Sequence, residues 1–172
     1  MNQDKTLQKK KTKDIKIYCD ITKCVGCKSC ELACAVEHSQ TKNIFTALRE
    51  KVLPKKRVRA ENITSKIISL HCQHCEDAPC IKACMSGALS KDEKTGATLH
   101  DKDKCVGCWM CVMVCPFGAI VRDVENHIAV KCDLCPDRED FACVAACPTG
   151  ALFVGTKEEF EKKIETKQVK KK

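Results

Sequence analysis

The sequence predicts an α+β fold of short hairpins and short helices, and three observations predict it. Cysteine recurs in four blocks of four. Three of those blocks are followed by the same step, Cys-x-x-Gly-Ala-[Leu/Ile], in which a short helix ends at a glycine and a strand leaves it. Short alternating runs, with turn residues between them, lie before and between the blocks.

The elements follow in chain order. Residues 1–14 are polar and lysine-rich without a period and read as a mobile extension. Residues 15–19 alternate and form a first strand. Block one is Cys24, Cys27, Cys30 and Cys34. No glycine step follows it, so its helix is predicted to run on to about His38. Residues 58–60 and 67–70 are predicted to pair ahead of block two, which is Cys72, Cys75, Cys80 and Cys84. Residues 89–90 and 98–100 flank a turn at 92–96. Block three is Cys105, Cys108, Cys111 and Cys115. Residues 120–122 and 128–130 flank a turn at 124–126, and block four is Cys132, Cys135, Cys143 and Cys147. The glycine steps start at Cys84, Cys115 and Cys147. Residues 157–172 are a charged helix candidate whose Phe160 and Ile164, four apart, make a thin apolar stripe.

Composition narrows the chemistry. A chain of 172 residues has room for one domain or two small ones. Seventeen cysteines point either to a secreted disulfide scaffold or to bound metal. The N-terminus has no apolar core and no cleavage site, so a reducing cytoplasm is expected, with export on a signal-bearing partner left open. No apolar run has the length of a membrane span. Aromatic residues are only 4% of the chain, so inorganic groups are expected to fill core volume and the apo-chain to fold poorly. The formal charge of +8 counts every thiol as neutral. With sixteen thiolates and four dipositive cores it becomes about 0, and about −4 after one electron per cluster. The lysines are therefore weak grounds for nucleic-acid binding.

Every block opens C-x2-C and closes C-x3-C. Blocks one and three have the spacing C-x2-C-x2-C-x3-C; block two widens the middle gap to four residues and block four to seven. A [4Fe–4S] cube takes four thiolates. The x2 gaps curl a loop around it, and the fourth cysteine follows on a short helix. In the bacterial ferredoxin arrangement that fourth cysteine ligates the other cluster, so one helix touches two cubes. Zinc sites instead use separated C-x2-C pairs, often with histidine. A zinc-stabilised nucleic-acid-binding protein is the remote alternative.

On these blocks, over about residues 15 to 155, the chain resembles the four-cluster electron-transfer subunits of the dimethyl sulfoxide reductase and formate dehydrogenase type. The resemblance implies two bacterial-ferredoxin-like modules of short hairpins and short helices built around four [4Fe–4S] clusters. It nests the blocks: residues 15–39 plus 120–155 form an outer module and 71–119 an inner one. Residues 40–70 read as an insertion with a strand pair, and 156–172 as a charged helix or tail. It implies four ligand sets: Cys24, Cys27, Cys30 and Cys147; Cys132, Cys135, Cys143 and Cys34; Cys72, Cys75, Cys80 and Cys115; Cys105, Cys108, Cys111 and Cys84. Some relatives replace a block-three ligand by tryptophan. Here Trp109 lies between Cys108 and Cys111, and no ligand is lost.

Residues 30–39 (Cys30-Glu-Leu-Ala-Cys-Ala-Val-Glu-His-Ser39) and 74–80 (His74-Cys-Glu-Asp-Ala-Pro-Cys80) are similar to the iron–sulfur partner of nickel carbon monoxide dehydrogenase. This narrower likeness implies that enzyme as electron donor, and a hydrogenase or flavin-dependent NAD(P) oxidoreductase as acceptor. A formate dehydrogenase or nickel–iron hydrogenase is the alternative partner.

The remaining residues are read more plainly. Cys19 shares a strand face with Ile15 and Ile17 and is expected to pack in the core, the alternative being a bridging ligand. His71 and His74 border block two and are expected to hydrogen-bond beside it or to be solvated; His38, His100 and His127 get a surface reading. Pro116 and Pro148 are expected to terminate helices, and by lacking an N–H they could also tune the potential of a nearby cluster. The basic run at residues 55–59 is expected to guard an exposed strand edge, with docking to an acidic partner as the alternative. Phe45 and Leu48 could add to such a contact. No nucleophile–base pair, P-loop or dinucleotide glycine motif occurs. Iron held by four cysteines has no open position for substrate, so a conduit rather than an enzyme is expected.

Overall fold

The computed structural model describes residues 15–169. The expected extension at residues 1–14 and the last three residues of the tail lie outside them. The elements run β1 (Lys16–Cys19), α1 (Ser29–Glu37), α2 (Ile44–Ala47), β2 (Arg59–Ile63), β3 (Lys66–Leu70), α3 (Pro79–Lys82), β4 (Leu89–Lys91), β5 (Thr98–His100), α4 (Met110–Met113), β6 (Ile120–Asp123), β7 (Ile128–Lys131), α5 (Ala142–Ala145), β8 (Leu152–Gly155) and α6 (Lys157–Val169).

The strands form four antiparallel pairs: β1 with β8, β2 with β3, β4 with β5, and β6 with β7. Three are local hairpins. The fourth joins the two ends of the described chain, with Lys16 opposite Gly155 and Cys19 opposite Leu152. The Asp20 N–H extends that ladder to the Ala151 carbonyl at 2.7 Å.

The glycine step works as its residue types require. At Gly150 the chain takes φ 59°, and the N–H bonds the Cys147 carbonyl at 3.3 Å. Nothing stands within 4 Å of where a Cβ would be, so only the left-handed backbone demands glycine there. The strand β8 leaves two residues later, at Leu152. Block one lacks the step, and α1 runs to Glu37 with His38 as its cap.

Two buried apolar groups form around the cysteines. One combines Cys30, Cys34 and Cys143 with Ile17, Phe141 and Leu152. The other combines Cys80 and Cys111 with Leu89 and Ile120. Blocks one and four thus share one packed group, and blocks two and three the other. Aromatic packing is concentrated at α6, where Phe160 stacks on Tyr18 at 4.9 Å and lies 6.2 Å from Phe153. Ile164 on the same face is half-buried, as the apolar stripe requires.

The basic run does not guard an open edge. Lys55 pairs with Glu125, Lys56 with Glu31 and Arg57 with Asp133, while Arg59 donates to the Gly118 carbonyl at 2.7 Å. These acids lie on distant segments, so the run pins the insertion against the body of the protein. Val58 between them is only 2% exposed. The ladder accordingly begins at Arg59, one residue later than expected, and reaches Ile63. No helix among the described residues is long and apolar enough to cross a membrane.

Candidate metal centres

Each C-x2-C loop needs a left-handed residue to curl, and the blocks solve this in two ways. Blocks one and three use glycine, with φ 67° at Gly26 and 65° at Gly107. A Cβ on Gly107 would sit 2.5 Å from the His127 carbonyl oxygen, so both conformation and space demand glycine. Blocks two and four place His74 (φ 44°) and Leu134 (φ 64°) at the same step. An Asp four residues ahead of blocks one and three sets up the approach: Asp20 accepts from the Thr22 N–H at 3.1 Å and Asp101 from the Asp103 N–H at 3.0 Å. Sequence reasoning missed this role, although its signal, Asp-x-x-Lys-Cys-Val-Gly-Cys at residues 20–27 and again at 101–108, is plain in the chain.

All seventeen cysteines are free. Cys105, Cys108 and Cys111 line a small cavity together with Cys84. Cys24, Cys27 and Cys30 line a second one with Cys147. In each, three cysteines come from one block and the fourth from the end of a distant one. The other eight block thiols act on one another through their charges. Burial pushes the Cys143 thiol up, and so do the charges of nearby Cys132, Cys34 and Cys135. Burial likewise raises Cys72, with Cys115 and Cys75 adding to it, and raises Cys80, with Cys72 adding. Cys132 is pushed up to about 12, and Cys135 and Cys111 to about 11, by burial first. Exposed Cys27 goes the other way, lowered by the Ser29 hydroxyl.

The insertion supplies donors that sequence reasoning did not assign. The Arg57 N–H donates to Cys34 Sγ at 3.3 Å, and Ser69 Oγ lies 3.6 Å from Cys30 Sγ. The Ser69 N–H meets Cys19 Sγ at 3.4 Å. Cys19 packs, half-buried, against the group that holds Cys30 and Cys34, as its strand face required.

His71 and His74 take the hydrogen-bonded one of their two readings, and His38 and His100 depart from the surface reading. Solvation does not apply to His71 and His74, which are 2% and 3% exposed. Burial keeps both imidazoles neutral, with pKa values down to about 4 and about 3. His100 is no surface residue: it lines the Cys84/Cys105/Cys108/Cys111 cavity, and its Nε2 is buried without a partner among the described residues. His38 is half-buried, and its Nε2 lies 3.1 Å from Asp133 Oδ1. Although burial works against its charge, Asp133 and Cys34 raise its pKa to about 9. Only His127 fits the surface reading.

The donor set fits iron–sulfur clusters better than single ions. A zinc ion with Zn–S near 2.3 Å would hold four sulfurs roughly 3.8 Å apart. Among the described residues no three cysteine sulfurs lie within 4.8 Å of one another; the one compact trio is His38, Asp133 and Cys135. Asp133 in that trio is already paired with Arg57, whose nearby cation, along with His38, draws its carboxyl well below the usual range. Wider sets of four thiols, with an unpartnered imidazole nitrogen in one cavity, suit a larger core bearing its own sulfur acceptors.

Known proteins resemble this chain. The profile of the 4Fe-4S dicluster domain family matches residues 63–157. Electron transport protein HydN of Escherichia coli (strain K12) is 40% identical over 154 aligned residues, covering 80% of this chain and 85% of that protein. An iron-sulfur protein of Rhodospirillum rubrum is 38% identical, covering 79% of each. The B subunit of the anaerobic dimethyl sulfoxide reductase of Escherichia coli (strain K12) is 37% identical, covering 85% of this chain and 75% of the relative.

Proposed function

This chain belongs to the 4Fe-4S dicluster domain family, and from that premise we propose that it is an electron-transfer subunit holding four [4Fe–4S] clusters in two nested ferredoxin-like modules. The observation that carries the reading is the pair of cavities in which three cysteines of one block meet the last cysteine of another. Each block then serves two sites, and neighbouring sites share a helix. Relatives named as electron transport proteins and reductase subunits support the role.

The sixteen block cysteines would hold the clusters in the four sets that the resemblance implies. The outer module, 15–39 plus 120–155, and the inner one, 71–119, follow the two packed groups. When bound, each cluster takes up and gives back one electron. The protein's own part is to fix the distances, exclude water from Cys80, Cys111, Cys135 and Cys143, and aim N–H groups at the thiols. The Ala119 N–H does this at Cys115, 3.4 Å away. Four thiols per site leave no place for a substrate, so bond-making chemistry belongs to the partner.

For the donor we infer carbon monoxide dehydrogenase, with a hydrogenase or flavin-dependent NAD(P) oxidoreductase as acceptor and the cytoplasm as location. The likeness of residues 30–39 and 74–80 to that enzyme's iron–sulfur partner supports this. The test is anaerobic. About 16 iron and 16 sulfide per chain are expected for four clusters. The brown protein is then mixed with catalytic carbon monoxide dehydrogenase and CO, and bleaching and EPR are followed against dithionite. CO-dependent reduction supports the donor. Reduction by dithionite alone leaves the conduit standing and moves the partner to formate dehydrogenases and nickel–iron hydrogenases. Stoichiometric zinc without iron would sink the cluster reading.

A further inference from the structure

Lys131 is the least expected charge in the protein. It ends β7, next to Cys132, and is 3% exposed. A buried ammonium is costly unless negative charge or carbonyl oxygens surround it. No carboxylate pairs with it among the described residues. Its Nζ donates to the Cys132 carbonyl at 2.6 Å and to the Thr98 carbonyl. On its other edge Thr98 donates its N–H to His74 Nδ1 at 3.0 Å, and His74 lies between Cys72 and Cys75. One amine thus bridges the first residue of block four to the loop of block two. The corresponding place before block two is held by His71, which burial keeps neutral.

We propose that the Lys131 ammonium is a fixed positive charge shared by two cysteine sets, Cys72, Cys75, Cys80 and Cys115 on one side and Cys132, Cys135, Cys143 and Cys34 on the other, and that it raises the one-electron potentials of the clusters these sets hold. This rests on the cluster reading above. Each electron, arriving from the partner, adds one negative charge to a site, and a buried cation stabilises that state with little screening. Lys131 is a positioning residue: it touches carbonyls, and acts on the clusters through its field.

The test compares Lys131→Gln, which keeps a neutral donor, with Lys131→Arg, which keeps the charge, in the anaerobically purified full chain. Iron and sulfide on the wild-type chain come first, since their absence sinks the cluster reading itself. EPR-monitored redox titration of the Gln variant is expected to lower two of four midpoint potentials. At a fixed potential their reduced-to-oxidised ratio should drop about tenfold, or about 59 mV for a one-electron couple, while Arg keeps all four near wild type. Loss of clusters in Gln but not in Arg also supports the charge. Four unmoved potentials in Gln, equal shifts in Gln and Arg, a fall in all four, or loss of clusters in both variants overturns the proposal and leaves Lys131 as a brace for two carbonyls.

Discussion

Blocks one and three bring a thiol to the surface, at Cys27 and Cys108; in blocks two and four the corresponding residues are half-buried Cys75 and buried Cys135. The narrow loops turn on Gly26 and Gly107, the widened ones on His74 and Leu134. A left-handed non-glycine residue costs about 1–2 kcal/mol. The widened loops bear that cost for side chains that cover the site: His74 and Leu134 are 3% and 9% exposed. Lysine amines also brace those loops, Lys91 on the His74 and Cys75 carbonyls and Lys131 on that of Cys132. The same C-x2-C opening therefore serves two purposes. Where glycine turns it, the second cysteine reaches solvent, and where His74 or Leu134 turns it, that cysteine is covered.

The sharpest way to break this comparison is to remove one thiol from each kind of block. Cys143→Ser, in a buried thiol neighbourhood, is expected to prevent assembly of the folded chain on anaerobic reconstitution. Cys108→Ser at the surface should keep about 12 of 16 iron and near-native circular dichroism, because three complete sets remain. Equal damage from both would erase the distinction.

Acid separates the blocks next. His71 and His74 have folded pKa values below that of the unfolded chain, so the stability they lend is whole above about pH 6.5. It is lost as pH falls, because the unfolded chain takes up protons that the buried rings refuse. Between pH 6.5 and 5 each is expected to cost about 2 kcal/mol. Guanidinium titrations across that range should show a shallower slope for His71→Gln; an unchanged slope would contradict the burial assigned to it.

Glycine substitutions sharpen the loop contrast. Gly107→Ala meets both a left-handed backbone and the His127 carbonyl, and should lose about 2–3 kcal/mol. Gly150→Ala meets only the backbone and should lose about 1 kcal/mol. Thermal bleaching midpoints rank the two.

The smallest effect lies away from the blocks. Thr64 and Ser65, at the tip of the β2–β3 hairpin, both have positive φ (45° and 71°), the conformation of a type I′ turn for which Asn-Gly is the favoured pair. Thr64→Asn with Ser65→Gly is expected to add about 1 kcal/mol and leave iron content and potentials unchanged. Altered potentials would show that the hairpin tip also shapes the sites.

The hairpins and their order were legible from residue pattern alone, because β4, β6 and β8 leave a glycine step and the hairpin turns are short. The helix of block one was legible for the opposite reason, the missing glycine after Cys34. Less legible was the role of residues 40–70. Their charges read as a guarded edge, yet Lys56, Arg57 and Arg59 reach Glu31, Asp133 and the Gly118 carbonyl across the fold. Partners so far apart in sequence leave no periodic trace. His100 was misread for the same reason: a lone histidine at a strand end says nothing about the cavity that a later block closes over it.

By itself the sequence determined that four thiol-rich loops exist, how wide each is, and which segments pair locally. Those follow from covalent spacing, from the glycine requirement for left-handed backbone, and from alternation. Tertiary structure decided which distant cysteine completes a cavity, which thiols reach solvent, and where a lone buried ammonium stands. These depend on how β1 meets β8 and how the insertion folds over α1, contacts set by packing and charge pairing across the whole chain.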